Sequence, residues 1–138
     1  MILGLVLSGV TAFPLTWELR VLARFLPIPW VVQVRDALTD TDARYPFLAY
    51  GTDWLAFAHL CIAAAFVGPW RDPVKNRWVI DWALLCCALV IPLALICGPL
   101  RQIPFLHRLV DCSFGVFGAI PLLLVRREID RLERGAVQ

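Results

Sequence analysis

Four long apolar runs limit what this sequence can fold into. They cover residues 1–17, 49–67, 78–98 and 105–125, and charged residues lie mainly between them. A helix needs about 20 apolar residues to cross the hydrocarbon core of a bilayer, and backbone polar groups in lipid must be paired within their own segment. The sequence therefore predicts four transmembrane helices, of which the first is short, at about 25 Å.

The composition also favours a membrane protein. Of the 138 residues, 60% are hydrophobic and 17% are charged, and the mean hydropathy is +0.73. Soluble domains are about 45–50% apolar and about 25% charged, and a chain of this length cannot bury so much apolar surface in its own core. We therefore expect a single membrane domain over residues 1–138, surrounded by the lipid bilayer. The net charge of +2 does not indicate nucleic-acid binding.

The predicted fold class is all-α: a polytopic membrane protein built as a four-transmembrane-helix up-down bundle. Short connections between apolar runs favour antiparallel neighbours. Gly68-Pro69 and Gly98-Pro99 mark the ends of the second and third runs, because glycine suits the residue after a helix and proline does not continue one. The segment TDTDARYP, residues 39–46, is predicted to be a polar loop.

The connection after the first run is long and has an amphipathic pattern. Over residues 18–38, leucine, valine and tryptophan recur at helical spacing, and arginine, aspartate and glutamine occupy the other faces. This pattern predicts an interfacial amphipathic helical segment that rests on lipid or caps the bundle. Its first part could also continue the first run.

Orientation follows from lysine and arginine near the ends of the runs. Three lie in the short segment 71–77 and four follow the fourth run, against six on the other side. Positive residues in short loops mark the cytoplasmic side. We therefore expect both termini to be cytoplasmic, in a plasma (inner) membrane of the bacterial type.

Ionisable residues at the run ends form the candidate site. If the bundle is up-down, they meet at one face, predicted to be the outer one, and two interpretations apply: charges paired only for structural reasons, or a functional polar site. No HxxH or HExxH spacing supports a metal site, and no metal is predicted. The predicted polar cluster consists of Asp53, His59, Arg101, His107, Arg108 and Asp111.

His59 has three interpretations, because it lies inside an apolar run. It could donate a hydrogen bond to a neighbouring helix, with Asp111 as the favoured partner. It could transfer protons or contact a quinone, since the pKa of histidine lies within reach of physiological pH. It could also be an axial haem ligand, although His107 lies at a different depth and fits poorly as the second ligand.

The sequence points away from catalysis. It contains no P-loop, GxGxxG, GxSxG or CxxCH motif, and no catalytic residue or cofactor is predicted. Small residues recur at Gly4, Ser8 and Ala12 and at Gly115 and Ala119, a spacing typical of close helix contacts in lipid. We expect a structural or interaction subunit, either a homo-oligomer or part of a larger membrane complex. The alternatives are a haem-, quinone- or proton-handling protein with a site around His59, and a small homodimeric transporter.

Overall fold

The computed structural model describes residues 1–135 and is entirely helical. Helices account for 87% of this part of the chain, which contains no strand. Two compact units divide it: the first is Met1–Ala65, and the second begins at Phe66. The all-α prediction is therefore confirmed.

Seven α-helices and one 3-10 turn make up the two units. In the first unit, a 3-10 turn over Pro46–Leu48 precedes the fourth helix. The α-helices are α1 Ile2–Ala12, α2 Leu15–Phe25, α3 Pro29–Arg44, α4 Ala49–Ala65, α5 Val67–Arg71, α6 Arg77–Leu100 and α7 Phe105–Gly135.

Three helical segments are long and apolar enough to cross a membrane. They are Pro46–Arg71, Arg77–Leu100 and Phe105–Gly135, with 26, 24 and 31 residues. They contain the last three predicted runs, so those runs are confirmed as helical. Their apolar character and length indicate a membrane protein.

The first run differs from its prediction. Helix α1 has only 11 residues, about 16 Å of rise, and the chain then bends by 98° into α2. A single helix over residues 1–17 is therefore wrong. Pro14 explains the break, because its ring crowds the preceding turn and it has no N–H to donate. The structure supports three crossing helices, or four if α1 and α2 together form one broken span.

The connection between the first and second runs is more helical than predicted. Helix α3 continues to Arg44, so the polar loop predicted over residues 39–46 is wrong. Arg44 and Asp40 form an i,i+4 ion pair at 3.0 Å, and α3 packs against α2, which outweighs the weak helix propensity of threonine and aspartate. The helical character of residues 18–38 is confirmed, apart from a break between α2 and α3, and their position at the membrane surface stays a prediction.

In the first unit, α1 packs against α4 at Gly9. A Cβ atom on Gly9 would lie 2.9 Å from the carbonyl oxygen of Ala56 and 3.0 Å from Leu60. Phe13, one turn later, lies beside Tyr50 at the start of α4. The two helices are therefore antiparallel neighbours, and only a glycine at position 9 allows this approach.

In the second unit, α6 and α7 form an antiparallel hairpin. Gly98 of α6 lies against the Arg108 side chain, and Cys87 lies against Gly115 of α7. Between the helices, Gln102 takes a positive φ of 57°, and its N–H bonds the carbonyl of Pro99. This turn satisfies carbonyls at the end of α6 and reverses the chain.

Candidate functional site

An open groove lined by aromatic side chains lies beside the bend between α1 and α2. Its volume is about 250 Å³. Helix α4 supplies four lining residues at i, i+3, i+4 and i+7, the spacing that places side chains on one helix face. The fifth, Phe13, directly follows α1. We call this cavity the Asp53 groove, and it is lined by Phe13, Tyr50, Asp53, Trp54 and Phe57.

The aromatic rings of α4 form a continuous series along the groove. The Tyr50 and Trp54 rings meet edge to face at 6.0 Å, and the Trp54 and Phe57 rings at 6.2 Å. Such T-shaped contacts are favourable and hold the rings in defined orientations. Trp54 is nevertheless 58% exposed. The rings therefore remain available to a molecule that enters the groove.

Among the described residues that line the groove, Asp53 is the one with a carboxylate side chain. Its side chain is half-buried, and it makes no hydrogen bond or ion pair within residues 1–135. A carboxylate among aromatic faces creates a negative electrostatic environment, because the face of an aromatic ring is also electron-rich. The groove is therefore suited to a positively charged group.

A second cavity lies on the other side of Phe13 and has a more polar lining. Its volume is about 100 Å³, and α2, α3 and α4 all contribute to it. Asp42 supplies a carboxylate to its wall, and Thr52 donates a hydrogen bond of 2.6 Å to the carbonyl of Ala49. The wall also carries four hydroxyl groups, those of Thr16, Thr41, Thr52 and Tyr45.

His59 lies on α4, beyond both cavities. Its Nδ1 is 2.7 Å from the carbonyl oxygen of Leu55, one turn earlier in the same helix. The ring is half-buried, so a local backbone contact fixes one of its nitrogens. That His59 bonds Asp111, or that it binds a haem or contacts a quinone, stays a prediction.

The six residues of the predicted polar cluster are divided between the two units. Asp53 and His59 belong to the first unit, and the other four belong to the second. Arg101 ends α6 and Asp111 lies in α7, and both are exposed. His107 is half-buried near the start of α7.

Arg108 has a packing role within the α6–α7 hairpin. Its guanidinium lies 5.2 Å from the centre of the Phe105 ring, a cation–π contact. Its methylene groups cover Gly98, where a Cβ atom would come within 2.4 Å of Arg108 Cδ. The Nε atom is buried without a hydrogen-bond partner in the described part of the chain. The long apolar part of this side chain therefore seals the end of the hairpin.

The opposite end of the hairpin holds a network of ion pairs. Arg77 and Asp81, at i and i+4 along α6, form one of them at 3.6 Å. Arg77 also bonds Asp130 at 2.8 Å and contacts Glu133, while Arg126 bonds Asp81 at 2.5 Å. We call these five residues the charged clamp. The pairs between the two helices could not be predicted from the sequence, because they depend on the register of the hairpin, which brings the end of α7 to the start of α6.

Arg126 lies just beyond the apolar run 105–125, outside the part of α7 that lipid would surround. The hydrogen bond that it donates to Asp81, together with the charge of that carboxylate, raises the pKa of the Arg126 guanidinium above its ordinary value. The clamp side chains are about one-third exposed, so water screens these pairs considerably.

The cysteines do not add a further site. All five have free thiols, including Cys97 and Cys112. Within residues 1–135, no group of three or more histidine, cysteine, aspartate or glutamate residues is arranged to hold a metal ion.

Together, the fold and these sites define a class: an all-helical protein with three or four segments long and apolar enough to cross a membrane, a charged clamp and an aromatic groove. No protein-family profile, curated protein or solved structure matches this chain.

Proposed function

We propose that this protein is a non-enzymatic membrane subunit that acts by packing its helices against other membrane helices, with a second copy of the same chain as its partner. The single observation that carries the proposal is the exposed face of α1. Gly9 on one face contacts α4. Gly4 and Ser8 lie on another face, and both are exposed.

The exposed face of α1 is suited to close helix contact. A Cβ atom on Gly4 would meet nothing within 4 Å, so the surface above Gly4 is open. Small residues allow two helix backbones to approach closely in lipid, where apolar burial alone does not hold helices together. The exposed small residues therefore support close contact with another helix.

The long helices also offer surface for partners. In their most apolar windows, only 17%, 22% and 11% of residues are buried within the chain. The remaining apolar surface must face lipid or other protein. This supports a protein whose packing is completed by an assembly in the membrane.

Self-association can be measured by energy transfer between donor- and acceptor-labelled copies in liposomes, over a series of protein-to-lipid ratios. We expect transfer that persists on dilution with lipid, and that Gly4→Leu combined with Ser8→Leu abolishes it. Val10→Leu is the matched control, because Val10 is also exposed on α1 but lies away from the small residues. If transfer is no greater than that of randomly mixed labels, or survives the double substitution, self-association through α1 is wrong.

We further propose a topology for this subunit. It lies in a plasma (inner) membrane of the bacterial type, α1 and α2 together supply a fourth crossing as one broken span, and both termini are cytoplasmic. The antiparallel packing of α1 on α4 supports this arrangement. The basic residues Arg71, Lys75 and Arg77 in a short connection, and four arginines after residue 125, support the orientation.

A further inference from the structure

We propose that the Asp53 groove binds an alkylammonium group, either the headgroup of a membrane lipid or a free organic amine. This binding site is independent of self-association through α1. It depends on three features of the groove: an unpartnered carboxylate, a series of aromatic faces and a limited volume.

The carboxylate supplies the charge. Asp53 lies in a segment able to cross the membrane, Pro46–Arg71, and has no counter-ion within residues 1–135. Carboxylates near the ends of membrane helices are costly unless water or a cation compensates them. Because no cationic side chain lines the groove, a bound cation would come from outside the chain.

The aromatic residues favour an organic cation over a metal ion. A metal ion needs several oxygen, nitrogen or sulphur ligands, and Asp53 is the only carboxylate in the groove. An alkylammonium group instead contacts the faces of aromatic rings, and clusters of such rings recognise quaternary ammonium groups. Phe13, Tyr50, Trp54 and Phe57 are 47%, 61%, 58% and 53% exposed, so their rings are accessible.

The volume suits a small chemical group. At about 250 Å³, the groove is smaller than the roughly 300–1,000 Å³ of sites for drug-sized molecules. A compact ammonium headgroup fits this space. Tyrosine and tryptophan beside the groove are typical of the headgroup level of a bilayer, where lipid ammonium groups lie.

Choline and its uncharged isostere 3,3-dimethylbutanol provide matched probes. We would titrate each into the full chain in a maltoside detergent, which carries no ammonium group, and detect binding by saturation-transfer NMR of the probe. We expect saturable binding of choline and none of the isostere. Asp53→Asn and Trp54→Leu should each weaken choline binding by about tenfold, whereas Asp53→Glu should retain it.

Two control variants separate the site from general effects on the fold. Asp111→Asn removes a carboxylate from α7, and Trp78→Leu removes another exposed tryptophan; both should leave choline binding unchanged. Thermal melting of every variant shows whether it is folded. Equal binding of choline and the isostere would overturn the proposal, as would unaltered choline binding in folded Asp53→Asn and Trp54→Leu variants.

A lipid arm distinguishes the two sources of the ammonium group. Native mass spectrometry would measure lipid retained from nanodiscs that contain equal phosphatidylethanolamine and phosphatidylglycerol. Preferential retention of phosphatidylethanolamine that is lost in Asp53→Asn assigns the site to lipid. Choline binding without a lipid preference assigns the site to a free amine. The absence of both choline binding and lipid preference contradicts the site itself.

Discussion

At the residue scale, glycines set how closely the helices pack. A Cβ atom on Gly115 would lie 2.5 Å from the backbone oxygen of Cys87, whereas one on Gly118 would lie 3.2 Å from the Cys87 Sγ. The backbone oxygen of Cys87 cannot move without displacing α6, but the thiol can rotate away. The two positions, three residues apart in the same helix, therefore differ in what they tolerate.

We predict that Gly115→Ala destabilises the α6–α7 hairpin by about 1–3 kcal/mol, the usual cost of overpacking, and that Gly118→Ala costs much less. Thermal unfolding in detergent, followed by tryptophan fluorescence, measures both variants. Gly51→Ala, at a position with nothing within 4 Å, controls for the gain in helix propensity. Equal melting temperatures for the Gly115 and Gly118 variants would contradict the prediction.

Sequence spacing identified one of these contacts and missed another. Gly115 belongs to a predicted small-residue pair and does lie at a helix contact. On α1 the predicted stripe was Gly4, Ser8 and Ala12, yet Gly9 makes the contact with α4. Both faces of α1 carry small residues, so spacing alone could not show which one α4 covers.

At the scale of helices, the charged clamp joins the start of α6 to the end of α7. Two arginines and three carboxylates alternate across the hairpin, and Asp81 and Asp130 each contact both arginines. Shared partners make each pair less dependent on a single side-chain rotamer. We infer that the clamp fixes the register of the two helices beyond the lipid.

We predict that Arg126→Ala slightly lowers the melting temperature of the hairpin, a small effect because the clamp is partly exposed and screened by water. Arg127→Ala is the matched control, because Arg127 is exposed and forms no salt bridge in the described part of the chain. Melting curves at low and high salt should show the difference between the variants shrinking as salt rises, since ions screen exposed charges. If the Arg126→Ala and Arg127→Ala variants melt at the same temperature at low salt, the clamp does not stabilise the hairpin.

The bend after α1 shows where local patterns were insufficient. Hydropathy extends through Pro14 without interruption, so the first run was predicted as one helix to residue 17. The structure instead turns by 98° at this point, and Phe13 becomes a wall of the Asp53 groove. Pro14 was a visible signal for a break, but proline also occurs within α6 and α7. Its effect therefore depends on neighbours that the sequence does not specify.

At the scale of the whole molecule, the helical class was predictable and the sites were less so. Three apolar runs became long helices, because only a helix satisfies the backbone in lipid. The polar cluster was inferred from position along the chain, and its members are divided between two compact units. Asp53 was named as a site candidate from the sequence, but the part of Phe13 in the wall of its groove depends on the contact of α1 with α4.

The number of crossings determines where the two termini lie, which gives a final prediction. With α1 and α2 as one broken fourth crossing, both termini are on the same side, whereas three crossings place them on opposite sides. We expect green fluorescent protein fused to either terminus to be fluorescent, and alkaline phosphatase at either terminus to be inactive, because both reporters would be cytoplasmic. A phosphatase fusion after Arg101, between α6 and α7, should be active and serves as the control. An active phosphatase at the N-terminus beside a fluorescent C-terminal fusion would show that α1 enters the membrane without crossing it.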